Sequence, residues 1–103
     1  MLYKTYAFDL DGTLCSLTGG DYEMALPFKD RISHVNSLHL SGHTIIIFTA
    51  RGATSGRDLY YFTANQLKSW GVKFDSLVMG KPHFDILVDD KAVSDVEYFK
   101  EGT

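Results

Sequence analysis

Several large protein classes are closed to this chain by what it lacks. Cys15 is the only cysteine, so no internal disulfide can form. With no Cys or His at ligand spacing beside it, Cys15 reads as an incidental small residue and not as a nucleophile. No apolar stretch approaches the roughly 20 residues that cross a bilayer, and Lys4 and Asp9 bracket only a short apolar run, which is no signal peptide. A cytoplasmic protein with no membrane partner is therefore expected. Lysines and arginines nowhere form a run, and the net charge of -3 argues against a nucleic-acid backbone as partner. Repeats, linkers and low-complexity segments are missing as well. The 103 residues are expected to form one domain, 1–103, with one core and no room for a second domain that covers a substrate.

What is present is strongly patterned. A hydrophobic content of 45% with 14% aromatics marks a globular fold and not a disordered one. Strand and helix signals alternate, which predicts an α/β protein with a mostly parallel sheet flanked by helices. Strands are expected over 4–9, 44–49, 74–79 and 85–89. Helices are expected over 27–40, with Phe28, Ile32, Val35 and Leu38 as its apolar stripe, and over 57–70, with Leu59, Phe62, Leu67 and Trp70 inward. Gly42 and Gly71 are placed to end those helices. The run Ile45-Ile46-Ile47-Phe48 predicts a second strand buried on both faces. Ser94 to Glu97 has the spacing of a capping box that opens a short terminal helix.

The chemistry begins at Asp9-Leu10-Asp11-Gly12-Thr13, directly after the first apolar strand. In an open α/β sheet the binding crevice lies at the carboxyl ends of the strands, so both carboxylates would look into it. Two aspartates this close need a cation between them or a shared proton. Either a hard ion such as Mg²⁺ or a general acid would satisfy that need. A plain Asx turn with an N-cap would use Asp11 and Thr13 without any chemistry.

Other strand ends carry matching groups. The second ends in Thr49-Ala50-Arg51-Gly52, the third is followed by Gly80-Lys81-Pro82, and the fourth ends in Asp89-Asp90-Lys91. A hydroxyl can donate to a phosphoryl oxygen, a lysine can neutralise its charge, and a metal can bridge carboxylate and phosphate. Each group alone also reads as an ordinary strand end, loop charge or turn. Their coincidence in an α/β chain carries the argument.

On these residues the chain resembles the haloacid dehalogenase superfamily of phosphohydrolases. Asp9-Leu10-Asp11-Gly12-Thr13 is similar to its first motif, Thr49 to its second, Lys81 to its third and Asp89-Asp90 to its fourth. The stretches from Ile46 to Gly52 and from Gly80 to Ala92 look like the small uncapped members associated with capsule and surface-polysaccharide biosynthesis. The resemblance implies a Rossmann-like core of that superfamily without a cap domain. It implies Asp9 as the nucleophile forming an aspartyl phosphate, and Asp11 as the acid that then serves as base. Thr49 and Lys81 would grip the phosphoryl oxygens. Mg²⁺ would be held by Asp9, the Asp11 carbonyl and Asp90, with Asp89 orienting the shell. The implied activity is Mg²⁺-dependent hydrolysis of a small phosphorylated metabolite such as a sugar phosphate.

Arg51, just beyond Thr49, is a candidate contact for a substrate anion, with a surface ion pair as the other reading. Asp95 falls inside the capping box and is expected in a first helical turn, and His83 lies near Lys81 in a loop. Two other functions fit parts of the pattern. A phosphoacceptor module of response-regulator type shares strand-end Asp, Thr and Lys, but there the phosphoacceptor Asp sits on the third strand, which here ends in Met79-Gly80. A nucleotidase or phosphotransferase would use the same site.

Two features strain the scheme. The link from Met79 to Asp85 is shorter than the ~10-residue crossover of a parallel return. Either the third strand is short, or 80–84 runs extended across the sheet edge and carries Lys81 into the site. Only the loop over 15–26 is available as a lid, so water must be excluded by that loop, by a neighbouring subunit or by the substrate. An open site and many aromatics for the chain's size lead to the expectation of a homo-oligomer.

Overall fold

Three apolar runs form strands, and the stretches between and after them form helices. The order is β1 (Thr5–Phe8), a 3₁₀ turn (Tyr22–Met24), α1 (Lys29–Leu40), β2 (Thr44–Phe48), α2 (Tyr60–Ser69), β3 (Ser76–Val78) and α3 (Asp95–Phe99). The structure is a computed structural model that describes residues 2–53 and 55–100. Residues 1, 54 and 101–103 of the expected 1–103 domain lie outside the described residues.

The sheet has the order β1-β2-β3 and is parallel throughout. Register sets Tyr6 beside Ile45, Phe8 beside Ile47, and Ile47 beside Leu77, so these side chains share one face. Against that face pack Ile32 and Val35 of α1, Leu67 of α2, and Tyr98 and Phe99 of α3. Stepping β1 to β2 to β3 in one direction with right-handed crossovers places α1 and α2 on the same side. The expectation that β2 is buried on both faces is corrected here. Ile45 and Ile47 are fully buried, whereas Ile46 and Phe48 on the opposite face are only half-buried. Truncating Ile47 to alanine should cost about 2–5 kcal/mol, since no part of it reaches solvent.

Helix ends follow the glycines. After α2, Gly71 at φ 73° turns the chain while its N–H donates to Lys68 O, and the Val72 N–H reaches back to Leu67 O at 3.0 Å. This Schellman closure is sealed by contact between the buried Leu67 and Val72. Gly42 ends α1 in the same way. At α3 the Ser94 hydroxyl accepts from the Glu97 N–H at 3.3 Å, and Arg31 donates to Asp95 at 2.7 Å, fastening the terminal helix to α1.

The fourth strand is a second correction. Residues 85–89 join no strand of the sheet, and Ile86, Leu87 and Val88 are 80%, 52% and 92% exposed. Of the two readings of the short link, the short third strand holds. β3 is only Ser76–Val78, and the chain then runs without regular structure past the strand tips, where the Lys81 N–H donates to Thr49 O at 3.1 Å. With Lys81 tied there, too little chain remains before Asp85 for the descent that a parallel strand requires. Among the described residues no helix is long and apolar enough to cross a membrane.

Candidate active site

The turn after β1 is built around one carbonyl. Leu10 O accepts from the N–H groups of Thr13, Leu14 and Cys15, and the Gly12 N–H donates to Cys15 O. Leu10 and Leu14 have no exposure, so the turn is anchored from below while Asp9 and Asp11 border a cavity at the strand tips. Thr49 follows β2 and is also buried. Its hydroxyl accepts the Arg51 N–H at 3.2 Å, which leaves its own proton to donate. Lys81 Nζ lies 3.5 Å from Asp9 Oδ1, and the Thr13 hydroxyl is 3.4 Å from Asp9 Oδ2. The Lys81 ammonium also lies 5.7 and 5.3 Å from the ring centres of Phe48 and Phe84. Asp9, Asp11, Thr49 and Lys81 are thus brought together.

Arg51 is brought there too, but in a different role from the one expected. Nε and Nη2 each donate at 2.9 Å to a different oxygen of Asp11. Nη1 donates to Gln66 Oε1 at 2.7 Å and lies 3.4 Å from Thr63 Oγ1, while Nη2 also lies 3.9 Å from Cys15 Sγ. A guanidinium has five N–H donors, and these contacts engage all of them. Arg51 is 2% exposed and stacks against Tyr22, with Cζ 4.5 Å from the ring centre. Arg51, expected as a phosphate contact, is thus placed on Asp11, with each of its N–H groups directed at a partner in the chain. Close packing of the loop behind it contributes, since a Cβ on Gly52 would come within 2.4 Å of Arg57 O.

The cavity holds about 640 Å³, within the range of small-molecule sites. One wall is the loop that the sequence offers as a lid, through Leu17, Thr18 and Tyr22. Ser16 and Leu26 close the neck of that loop with two hydrogen bonds of 2.9 Å. Pro82, His83, Phe84 and Arg57 also line the cavity. Sequence reasoning passes over Tyr22 and Gln66. The available signal was an amide side chain one residue before the buried Leu67 of α2. Cys15 is fully buried, and burial first, then the charge of Asp11, pushes its thiol up to about 12. A thiol so placed is a neutral filler.

Asp89 and Asp90, expected as metal ligands, are not brought to the cavity. Both are exposed and border no part of the cavity. Asp89 Oδ1 accepts the Lys91 N–H at 2.7 Å in an Asx turn, and Asp90 lies 3.5 Å from Lys91 Nζ. The cause is the unformed fourth strand, which would have carried them. Among the described residues no three His, Cys, Asp or Glu side chains are grouped to hold a metal ion. Of the expected donors only Asp9 and Asp11 stand at the cavity, each paired with a cation of the chain, and they do not make a shell for Mg²⁺.

The fold and site together define an α/β protein with a strand-tip cavity in which carboxylates, a hydroxyl and an ammonium converge. A crystal structure of a structural-genomics target from Vibrio cholerae matches this chain with a TM-score of 0.82 at 30% identity, covering 92% of this chain and 86% of that one. The chain belongs to the same family as that Vibrio cholerae protein. A chain in the structure of a Pnkp1/Rnl/Hen1 complex has the same fold, with a TM-score of 0.62 and 22% identity. The match covers 98% of this chain and 35% of that one. No family model matches the chain, and no curated protein matches it.

Proposed function

We propose that this protein is a phosphomonoester hydrolase of the haloacid dehalogenase type, with a Rossmann-like core, acting through an aspartyl phosphate on a small phosphorylated metabolite such as a sugar phosphate. The observation that supports it most is the approach of Lys81 to the Asp9 carboxylate in a cavity that Thr49 also lines, three groups from three separate strand ends. An Asp9 oxygen attacks phosphorus as the bond to the leaving oxygen breaks, and Asp11 gives that oxygen its proton. Water then attacks the aspartyl phosphate, Asp11 takes the water's proton, and the bond from phosphorus to Asp9 breaks to release phosphate. Asp11 accepts one N–H at each oxygen from Arg51, and Oδ1 also takes the Cys15 thiol at 3.4 Å, so Oδ2 keeps the second lone pair on which a proton can ride. Lys81 and the Thr49 hydroxyl hold the phosphoryl oxygens as charge develops.

Mg²⁺ is the cofactor that the resemblance implies. The residues at the cavity do not form its shell, and the covalent and proton-transfer steps are assigned to the side chains of Asp9 and Asp11. The reading is tested with a panel of sugar phosphates, nucleotides and an aryl phosphate, each with Mg²⁺ and with chelator. Phosphate release from at least one substrate is expected. A chain that is phosphorylated stably on Asp9 and never turns over would put a signalling module in its place.

A further inference from the structure

We infer that Gln66 is a positioning residue for this site: one amide holds Asp11 through Arg51 and the Tyr22 wall of the cavity through a carbonyl. The inference rests on the hydrolase reading and extends it to the residue that sets the geometry of the acid. Gln66 projects from α2, outside the strand-tip motifs. Its Oε1 accepts from Arg51 Nη1 at 2.7 Å, and its Nε2 donates to Tyr22 O at 2.8 Å. Arg51 in turn grips both oxygens of Asp11, and the Tyr22 ring lies on the guanidinium.

The residue type follows from this demand. The site needs an acceptor toward a guanidinium and a donor toward a carbonyl at the end of one side chain of fixed length, and a glutamine amide supplies both. The opposite orientation of the amide would set its NH₂ against Arg51, donor to donor, and the Tyr22 carbonyl against its oxygen, acceptor to acceptor. A glutamate would leave Tyr22 O without its partner and place a second carboxylate in competition with Asp11 for Arg51. The torsion of the Asp11 carboxylate and the position of the loop wall are thereby coupled. Proton delivery to the leaving oxygen and the fit of the leaving group depend on the same bond pair.

The test compares wild type, Gln66→Leu and the nearly isosteric Gln66→Glu on a sugar phosphate and an aryl phosphate, with Mg²⁺ present. Both variants should lose about 10- to 100-fold in kcat on the sugar phosphate, whose poor leaving group needs the acid, and markedly less on the aryl phosphate. KM for the sugar phosphate should also rise in Gln66→Leu, because the Tyr22 wall is released. Equal losses on the two substrates, or no loss, would overturn the inference, since general destabilisation does not discriminate leaving groups. The NMR signal of the Arg51 Nε–H reads the same geometry without turnover. It should shift and exchange faster in Gln66→Leu, and an unmoved, equally protected signal would overturn the positioning role. Wild type inactive on every phosphate monoester would instead refute the hydrolase reading, and the Arg51 signal would still decide the role of Gln66.

Discussion

Arg51 meets Asp11 side by side, two N–H groups against two oxygens, each at 2.9 Å and across forty positions of sequence. The guanidinium has no exposure and the carboxylate 18%, so the pair is close to a buried one. Removing one partner of such a pair strands the other without solvent.

Stability should therefore respond before catalysis does. Asp11→Asn keeps one acceptor but turns an N–H against Arg51, and should lower stability by about 3 kcal/mol in urea unfolding. Arg51→Lys should also destabilise, because an ammonium cannot span both oxygens. A loss below the error of the titration would show that the pair is open in solution.

Asp9 and Asp11 should separate in kinetics. Asp9→Asn removes the attacking oxygen charge, so neither turnover nor a phosphorylated chain should be detectable by mass spectrometry. Asp11→Asn should fall about 10² to 10⁴-fold on a sugar phosphate and less on an aryl phosphate in the first step. These rates need to be read at a temperature where the Asp11 variant is folded. Wild-type turnover by Asp9→Asn would rule out the covalent route.

The thiol of Cys15 should be silent. Held up to about 12 by burial and by Asp11, it carries almost no thiolate at neutral pH. An aromatic disulfide reagent should label the chain only after denaturant is added. Rapid stoichiometric labelling of the folded protein would contradict the packing of the turn after β1.

Acid should loosen α3. The hydrogen bond from Arg31, followed by its charge, holds the Asp95 carboxyl below the ordinary carboxylate range. A carboxylate lowered in the folded state contributes stability above its unfolded pKa and loses it as pH falls through the folded one. Asp95→Asn should be less stable than wild type at neutral pH, with the gap closing in acid, as pH falls below the ordinary carboxylate range. Urea midpoints at neutral and at acid pH measure this. A gap that persists unchanged in acid would show that the ion pair contributes nothing.

The exposed run that ends in Asp89 and Asp90 should exchange its amide hydrogens quickly. Among the described residues no amide from 82 to 90 donates to a backbone carbonyl. Hydrogen exchange followed by peptide should show near-complete labelling of this segment within the shortest time point. Strong protection without added ions would mean that the segment pairs in solution. Mg²⁺ makes a second arm, since slowing confined to 85–90 would bring Asp89 and Asp90 into the ion's shell.

Local rules were enough for much of this molecule. The apolar period of α1, the glycines that close α1 and α2, the Ser94 cap and the two aspartates after β1 are consequences of residues within a few positions of one another, and all are legible in the sequence. Partner choice was not. Ile86-Leu87-Val88 has the composition of a strand, but pairing depends on whether the preceding link can reach an edge, and the anchoring of Lys81 at Thr49 O decided that. Arg51 beside Thr49 looked equally suited to an anion or an ion pair. Only the parallel register of β1 and β2, which sets their two tips side by side, turned it onto Asp11, and α2 then supplied Gln66 to hold it. The sequence determined that Asp9, Asp11 and Thr49 stand at the tips of β1 and β2, because that is a matter of period and turn. The tertiary structure decided which of them touch, because contact between residues 11, 51 and 66 depends on distances that no local pattern encodes.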